Sequence, residues 1–245
     1  TFNLPAGDLR GIIDRTRFAM STEETRYYLN GIYLHVSERD GTPTLRSVST
    51  DGHRLASFEL PLPEGAAGMP GVIVPRKTVG EIRKLIDETG DDVEISLSEA
   101  KIRFAFDDAV LTSKLIDGTF PDYQRVIPAG NDKKMTVNRK TFADAVDRVS
   151  AISSEKSRAV KLAFDGGVLS LSASSPENGS AQEELEVDYS ADAFDIGFNS
   201  GYLLDIARQL DGDTAVFMLA DAASPTIIRG SEDMGTLYVL MPMRV

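Results

Sequence analysis

The order of the chain repeats. Phe2 to Met20 matches Met135 to Ser153, with Leu9 over Phe142, Ile13 over Val146 and Asp14-Arg15 over Asp147-Arg148. Val72 to Ile86 then matches Ile196 to Leu210, and Gly90 to Leu97 matches Gly212 to Leu219. Three blocks in the same order limit the fold more than any single identity does, because a duplicated unit buries its core twice on one plan. At 245 residues the chain is long enough for two domains of ordinary size. Pro, Gly, Asn and Asp cluster from Pro128 to Lys133 as in a linker. The expected organisation is residues 1–128 followed by residues 129–245.

Apolar residues recur at helical spacing in four places: Leu9, Ile12, Ile13 and Thr16; Val79, Ile82, Leu85 and Ile86; Phe142, Ala145, Val146 and Val149; Tyr202, Leu203, Ile206 and Leu210. The corresponding helices are expected at 4–20, 75–86, 138–153 and 199–210. Pro5 and Pro75 suit a first helical turn, and Asn138 and Asn199 suit an N-cap. Between them lie strand-like segments: Gly31 to Val36, Asp92 to Leu97, Ile102-Phe104-Phe106, Leu169-Leu171 and Leu185-Val187-Tyr189. Each half reads as an α+β unit of two helices and roughly eight strands.

The absence of Cys excludes disulfides, thiolate metal sites and a Cys nucleophile, which fits a reducing compartment. No apolar run reaches the ~20 residues of a membrane span, and residues 1–20 lack the pattern of a signal peptide, so a soluble, cytoplasmic protein is expected. A net charge of −12 argues against nucleic acid at first sight. The four expected helices nevertheless hold 11 Lys and Arg against 6 Asp and Glu, while the rest of the chain holds 15 against 32. Exposed helix faces that attract Lys and Arg explain this bias without any partner. The other explanation is an amphipathic layer with a mildly basic face towards DNA, formed by Arg10, Arg15, Arg17, Arg76, Lys77, Arg83, Lys84, Arg139, Lys140, Arg148 and Arg208.

Thr50-Asp51-Gly52-His53-Arg54-Leu55 carries Asp-Gly between β-compatible residues, a signal for a two-residue hairpin. Asp51 and His53 suggest an acid/base pair, but the sequence marks no nucleophile or third orienting group beside them. His35, the other histidine, sits in an alternating stretch and reads as a surface or core-edge side chain. The chain has no His-Glu-x-x-His, calcium-loop spacing or phosphate-binding loop, and no cofactor or metal is implied. Asp165-Gly166-Gly167 is most simply a hairpin turn. Phe120-Pro121-Asp122-Tyr123 is turn-like through Pro-Asp, with the two rings as anchors. At the end of the chain, Thr236 to Leu240 reads as the last strand of the second core and Met241 to Val245 continues past it. An apolar tail with a Pro and a basic residue suits a groove that receives an extended peptide.

Tyr238-Val239-Leu240-Met241-Pro242-Met243-Arg244-Val245, taken with Thr50 to Leu55, Phe120 to Tyr123 and Arg26-Tyr27-Tyr28-Leu29-Asn30-Gly31, closely resembles the bacterial DNA polymerase III sliding clamp family, the beta subunit. The match covers the whole chain and implies two repeated DNA-clamp domains, each with two helices packed on antiparallel sheets. The family's protomer has three such domains, and two protomers close head to tail into a ring around duplex DNA. Only the second and third domains are resembled here, which implies a truncated or engineered fragment. The resemblance further implies a non-enzymatic processivity factor of the replisome. It would dock the polymerase III alpha subunit, the clamp loader, other polymerases and repair proteins through linear peptide motifs, usually with a Gln.

The family's peptide pocket lies between these two domains. The resemblance carries it onto Arg26, Leu29, Thr50, Gly52, His53, Arg54, Leu55, Pro121, Arg125, Val126, Asn199, Tyr202, Val239, Leu240, Met241, Pro242, Met243, Arg244 and Val245. Met side chains there would adapt to different partner sequences, and His53, Asn199, Tyr202 and Arg244 would hydrogen-bond the motif's polar residue. Ser157, where the best-known relatives have an aromatic ring, and Ala223-Ser224-Pro225 depart from the pattern and bear on the outer pocket's depth. Arg26-Tyr27-Tyr28 and Arg76-Lys77 are the clearest DNA-facing carry-overs, expected to bind weakly and without sequence preference. Ala151, Ile152 and Glu183 correspond to the ring interface, whose partner is the missing domain. The full-length family protein is a homodimer, whereas this chain is expected to be a monomer that does not encircle DNA. A general peptide-binding adaptor with no DNA role is the competing reading.

Overall fold

Each repeated block is a strand that feeds a helix, or the strand that closes beside it. In the computed structural model, which describes residues 1–87, 90–107, 109–154 and 156–245, the first unit spans Thr1–Pro121 and the second Asp122–Val245. In chain order the first unit contains β1 (Phe2–Pro5), α1 (Ala6–Asp14), β2 (Gly31–Arg39), β3 (Thr42–Thr50), β4 (Arg54–Pro61), β5 (Val72–Pro75), α2 (Arg76–Ile86), β6 (Asp92–Leu97), β7 (Lys101–Phe106) and β8 (Ala109–Lys114). The second contains β9 (Lys133–Asn138), α3 (Arg139–Ser150), β10 (Ala159–Asp165), β11 (Val168–Ser175), β12 (Gly179–Glu186), β13 (Asp188–Tyr189), β14 (Phe194–Asn199), α4 (Ser200–Gln209), β15 (Thr214–Leu219), β16 (Thr226–Gly230) and β17 (Thr236–Leu240). Residues 122–128, placed with the first half by the linker composition, pack with the second unit.

The strands run side by side as β1-β6-β7-β8 and β4-β3-β2-β5 in the first unit, and as β9-β15-β16-β17 and β12-β11-β10-β14 in the second. The two topologies are the same, with β13 added outside β9. Among the described residues, the strands within each unit pair antiparallel. Period-two alternation puts Ile32, Leu34, Leu45, Phe58, Val93, Ile95, Ile102 and Phe104 against Leu9, Ile12, Ile13, Val79, Ile82 and Ile86 of the helices. The second core repeats this with Val160, Leu162, Leu169, Leu171, Met135 and Phe217 beside Phe142, Val146, Leu203 and Ile206, all buried. Phe142 and Phe217 meet edge to face at 5.1 Å.

The helix starts follow their residues. Asn138 Oδ1 accepts the Thr141 N–H at 2.9 Å, and Asn199 Oδ1 accepts the Tyr202 N–H at 3.2 Å, so α3 and α4 are capped by side chains. Pro5 and Pro75 stand at the cap position itself rather than inside the first turn, with extended ψ of 138° and 146°. The first helix stops at Asp14 and gives way to a tighter turn over Arg17–Ala19, short of the expected residue 20. Hydroxyl groups take up carbonyls at this end, one from within the same turn and one from the sheet. Thr16 Oγ1 donates back to the Ile12 carbonyl at 2.6 Å, and the buried Ser49 hydroxyl of β3 donates to the Thr16 carbonyl. Among the described residues no helix is long and apolar enough to cross a membrane.

Two turns show how side chains set register. Gly166 and Gly167 both have positive φ, 56° and 87°, giving the expected two-residue hairpin between β10 and β11. At 51–54 the central pair is Gly52-His53, one residue later than the Asp-Gly signal places it, because the Asp51 N–H bonds the Arg54 carbonyl at 3.4 Å. Asp51 Oδ1 accepts the His53 and Arg54 amides at 2.9 and 3.1 Å, which makes the aspartate the scaffold of the turn rather than its centre.

His35 stacks on Tyr33 at 4.4 Å, and Tyr33 in turn stacks on Phe120 at 4.8 Å. Burial of the imidazole, with the Arg46 cation adding to it, pushes its pKa down to about 4 from 6.5. The unfolded chain therefore takes up a proton near pH 6.5 that the folded chain resists until about 4, so stability present above 6.5 falls as the pH drops through that window. Urea midpoints measured from pH 7 to 4 should decline, and His35→Gln should flatten the part of the decline between 6.5 and 4. Independently, Asn138→Ala should lower the stability of the second unit by about 1 kcal/mol, read by urea unfolding, through loss of the α3 cap.

Candidate functional site

In the second unit the chain leaves β17 at Leu240, which is fully buried, and emerges as Met241, 38% exposed. Val239 and Leu240 belong to the core, while Pro242 and Met243 are half-buried and Arg244 and Val245 exposed. The Met243 N–H donates to the Gly197 carbonyl at 2.8 Å, making a one-residue antiparallel bridge to β14. Gly197 has no side chain where one would collide: a Cβ there would stand 2.4 Å from Val245 Cγ1. The last residue thus lies in a notch cut by a glycine, at one end of a groove of about 340 Å³ whose walls include Ala159, Lys161, Ser172 and Gln182. Because β14 runs on into Asn199 and α4, the same bridge sets the tail beside the strand that carries Asn199 and leads to Tyr202.

Sequence reasoning missed Gly197. A glycine between the buried Ile196 and Phe198 was its available signal, since glycine inside a strand often marks close backbone approach. Elsewhere in this unit Val126 is 44% exposed, and Arg125 pairs with Asp122 at 2.8 Å in full solvent. Ser157 bonds Ser154 through its hydroxyl at 3.0 Å, and Asp221 Oδ1 accepts the Ala223 and Ser224 amides, which fixes the turn ahead of Pro225.

In the first unit the structure gathers Arg26, Thr50, Gly52, His53 and Arg54 around the β3–β4 turn. Gly52, with φ 88°, leaves room for the Arg26 guanidinium, which a Cβ would meet at 2.7 Å. Arg26 holds Glu23 at 3.0 Å, and that hydrogen bond draws the Glu23 carboxyl below its ordinary range, helped slightly by His53. Thr50 Oγ1 donates to the Arg54 carbonyl at 2.7 Å and accepts the Gly52 amide. The Arg54 guanidinium is engaged with Asp51 Oδ2 at 3.2 Å, the Phe18 carbonyl at 3.0 Å and the Phe18 ring. It therefore stiffens the turn. Leu29 and Leu55 are buried within the unit, and Pro121 is exposed.

The helix cations are more occupied than their sequence positions suggest. Arg83 lies between Asp14 and Asp87, 2.6 Å from each, and these two hydrogen bonds raise its pKa. Arg10 also reaches Asp87, and Arg17 reaches Asp14. Arg15 lies over the Phe58 ring at 4.5 Å. Lys84 pairs with Glu81 and Lys140 with Asp144. Arg139 donates to the Gly212 and Ala207 carbonyls near the end of α4. Arg148 makes a two-point contact with Glu183, so a residue expected to face DNA holds one expected at the ring interface. Arg76, Lys77 and Arg208 are exposed, as is Tyr27, set edge to face against Tyr28. Ala151 is exposed, and the half-buried Ile152 takes a long hydrogen bond of 3.5 Å from Asn178 to its carbonyl.

Solved structures share this architecture. The sliding clamp of Bartonella birtlesii bound to griselimycin is 57% identical with a TM-score of 0.96, the match covering all of this chain and 66% of that one. The polymerase III beta of Caulobacter crescentus is 53% identical with a TM-score of 0.96, covering all of this chain and 65% of that one. Fold and repeat together define two consecutive clamp domains. The profile of the DNA polymerase III beta subunit central domain matches residues 3–122, and that of the C-terminal domain matches residues 124–244. The chain belongs to the DNA polymerase III beta subunit family. The beta sliding clamp of Caulobacter vibrioides (strain NA1000 / CB15N) is 56% identical over 238 residues, 97% of this chain and 64% of that protein. For Pseudomonas aeruginosa PAO1 the figures are 40% over 244 residues, 100% and 65%. The chain thus spans a little under two thirds of the length of these relatives.

The Gly197 notch makes a direct test of how the tail is held. Gly197→Ala should leave the unfolding temperature nearly unchanged while the Met243 amide, protected in the parent, exchanges freely with deuterium, because the new methyl takes the place of Val245.

Proposed function

We propose that this chain works as the second and third domains of a DNA sliding clamp, and that it keeps the surface on which partner proteins dock a linear peptide. The central and C-terminal domain profiles, matched in series over almost the whole chain, carry this reading. The tail supports the peptide role physically. Met241, Val126 and Val245 offer exposed apolar surface, while Asn199 and Tyr202 open α4 with polar groups beside the strand that holds the tail. A few polar anchors among adaptable apolar side chains suit a site that accepts several partners. In the first unit, His53 of the β3–β4 turn and Arg26 beside it are the polar groups proposed to meet a partner.

The proposed role is non-enzymatic. Asp51, which with His53 suggested an acid/base pair, accepts two backbone amides and the Arg54 guanidinium, so its carboxylate builds a turn. Contact with DNA is proposed for Arg26-Tyr27-Tyr28, Arg76, Lys77 and Arg208, weak and indifferent to sequence, as a ring that holds DNA by enclosure requires. The pairing of most other helix cations with acids favours keeping the adaptor alternative as a second reading.

Calorimetric titration with a short peptide carrying Gln-x-x-Leu-Phe tests the assignment. One saturable site is expected, abolished when Leu-Phe becomes Ala-Ala and weakened about tenfold by Met241→Ala. His53→Ala should weaken binding without loss of fold. A folded chain that does not bind overturns the peptide role. Peptide binding with no affinity for duplex DNA at low salt, in a ring-competent full-length form, favours the adaptor.

A further inference from the structure

The chain contains two Asn-Gly steps, Asn30-Gly31 and Asn178-Gly179, and the fold treats them in opposite ways. Gly31 opens β2 and pairs with Pro75, and its backbone is pressed so close to β5 that a Cβ would stand 2.3 Å from the Val74 carbonyl. The Asn30 carbonyl accepts the Arg76 amide at 2.9 Å and its side-chain oxygen is buried. Asn178 instead is exposed on the loop between β11 and β12, whose last ladder pair is Ser175 with Gly179. Gly179 has φ 90° and nothing within 4 Å of the place a side chain would take. The Asn178 side chain reaches the Ile152 carbonyl with a 3.5 Å contact from Nδ2, at the long limit for a hydrogen bond.

We propose that Asn178 is a site of spontaneous covalent modification, a deamidation that cuts the link between the β11–β12 hairpin and the segment after α3. The Gly179 backbone nitrogen, losing its proton, attacks the Asn178 side-chain carbon. The bond to Nδ2 breaks and ammonia leaves, closing a five-membered cyclic imide. Water then opens the ring at either carbonyl, leaving an aspartyl or an isoaspartyl residue. One water enters and one ammonia departs, with no oxidant or cofactor. Glycine favours the step because its backbone can reach the attacking geometry without a side chain in the way. Asn30, by contrast, reacts only when β2 and β5 separate.

The product acts locally. A carboxylate cannot donate to the Ile152 carbonyl and adds a negative charge next to Glu177, while the isoaspartyl form also inserts a methylene into a loop of three residues. The segment around Ala151 and Ile152 thereby loses its contact with the hairpin loop. On the sliding-clamp reading this segment faces a neighbouring protomer, so the reaction would wear down that surface with time; the modification itself does not depend on that reading.

The test is incubation of the folded chain at mildly alkaline and mildly acidic pH, followed by peptide mapping by mass spectrometry with enzymatic methylation to mark isoaspartate. Expected is conversion of Asn178 at least roughly tenfold faster than Asn30, faster at the alkaline pH, with the gap closing in urea. Gly179→Ala should slow it, and hydrogen exchange in residues 151–154 should rise in step with conversion. Equal rates at the two asparagines in the folded chain, or an unmodified Asn178 while urea-unfolded chain reacts, would overturn the proposal.

Discussion

Both units depend on one demand: two sheets must lose water from one face each under a single pair of short helices. The first helix of each pair does double duty. In the first unit α1 touches β1 and β6 of one sheet and β4 of the other, and α3 in the second unit touches β9 as well as β10, β11 and β12. Such a helix needs apolar groups on two adjoining faces, which Leu9, Ile12 and Ile13 provide, and only a narrow strip is left for solvent. The outer strand faces can then remain polar: on β12 Gln182, Glu184 and Glu186 are exposed, while Leu185 is buried.

That narrow strip governs the electrostatics. Several cations on it have acids within a turn or on the adjacent helix, and Arg83, only 20% exposed, ties α2 to α1 through Asp14. Exposed pairs such as Lys84–Glu81 contribute about 0–1 kcal/mol each, so they matter less for stability than for what they do to the field. A helix layer that counts as basic by composition presents a much weaker potential, because its charges are answered locally. On the proposed clamp role, weak attraction suits a surface past which a polyanion moves.

How much could be read from the chain depended on how local the cause was. The helix periodicity and the asparagine caps involve residues within a turn of one another, so sequence and structure agree on α2, α3 and α4. The early end of α1 was only partly legible, because hydroxyls of Ser47 and Ser49, a strand away, join the local Thr16 bond there. The Asp51 turn moved by one residue because a side chain out-competed the usual Asp-Gly geometry. Gly197 offered the hint of a glycine inside a strand, but not what approaches it, since its value lies in a tail that returns from the far end of the unit. Of the candidate site residues, the tail and the turn are proposed through resemblance, while the engagement of Arg54, Arg83 and Arg139 is tertiary and leaves no trace in spacing.

The strand pairing also dictates a schedule. Phe2 on β1 finds its ladder partner in Ile95 on β6, and Met135 on β9 finds Phe217 on β15. In each unit, then, the first strand and helix made by the ribosome cannot be seated until almost the whole unit has emerged. Topologies closed by such distant contacts fold slowly and leave apolar stripes uncovered while they wait. The duplication that makes the fold easy to recognise makes a nascent chain pass through this exposed interval twice.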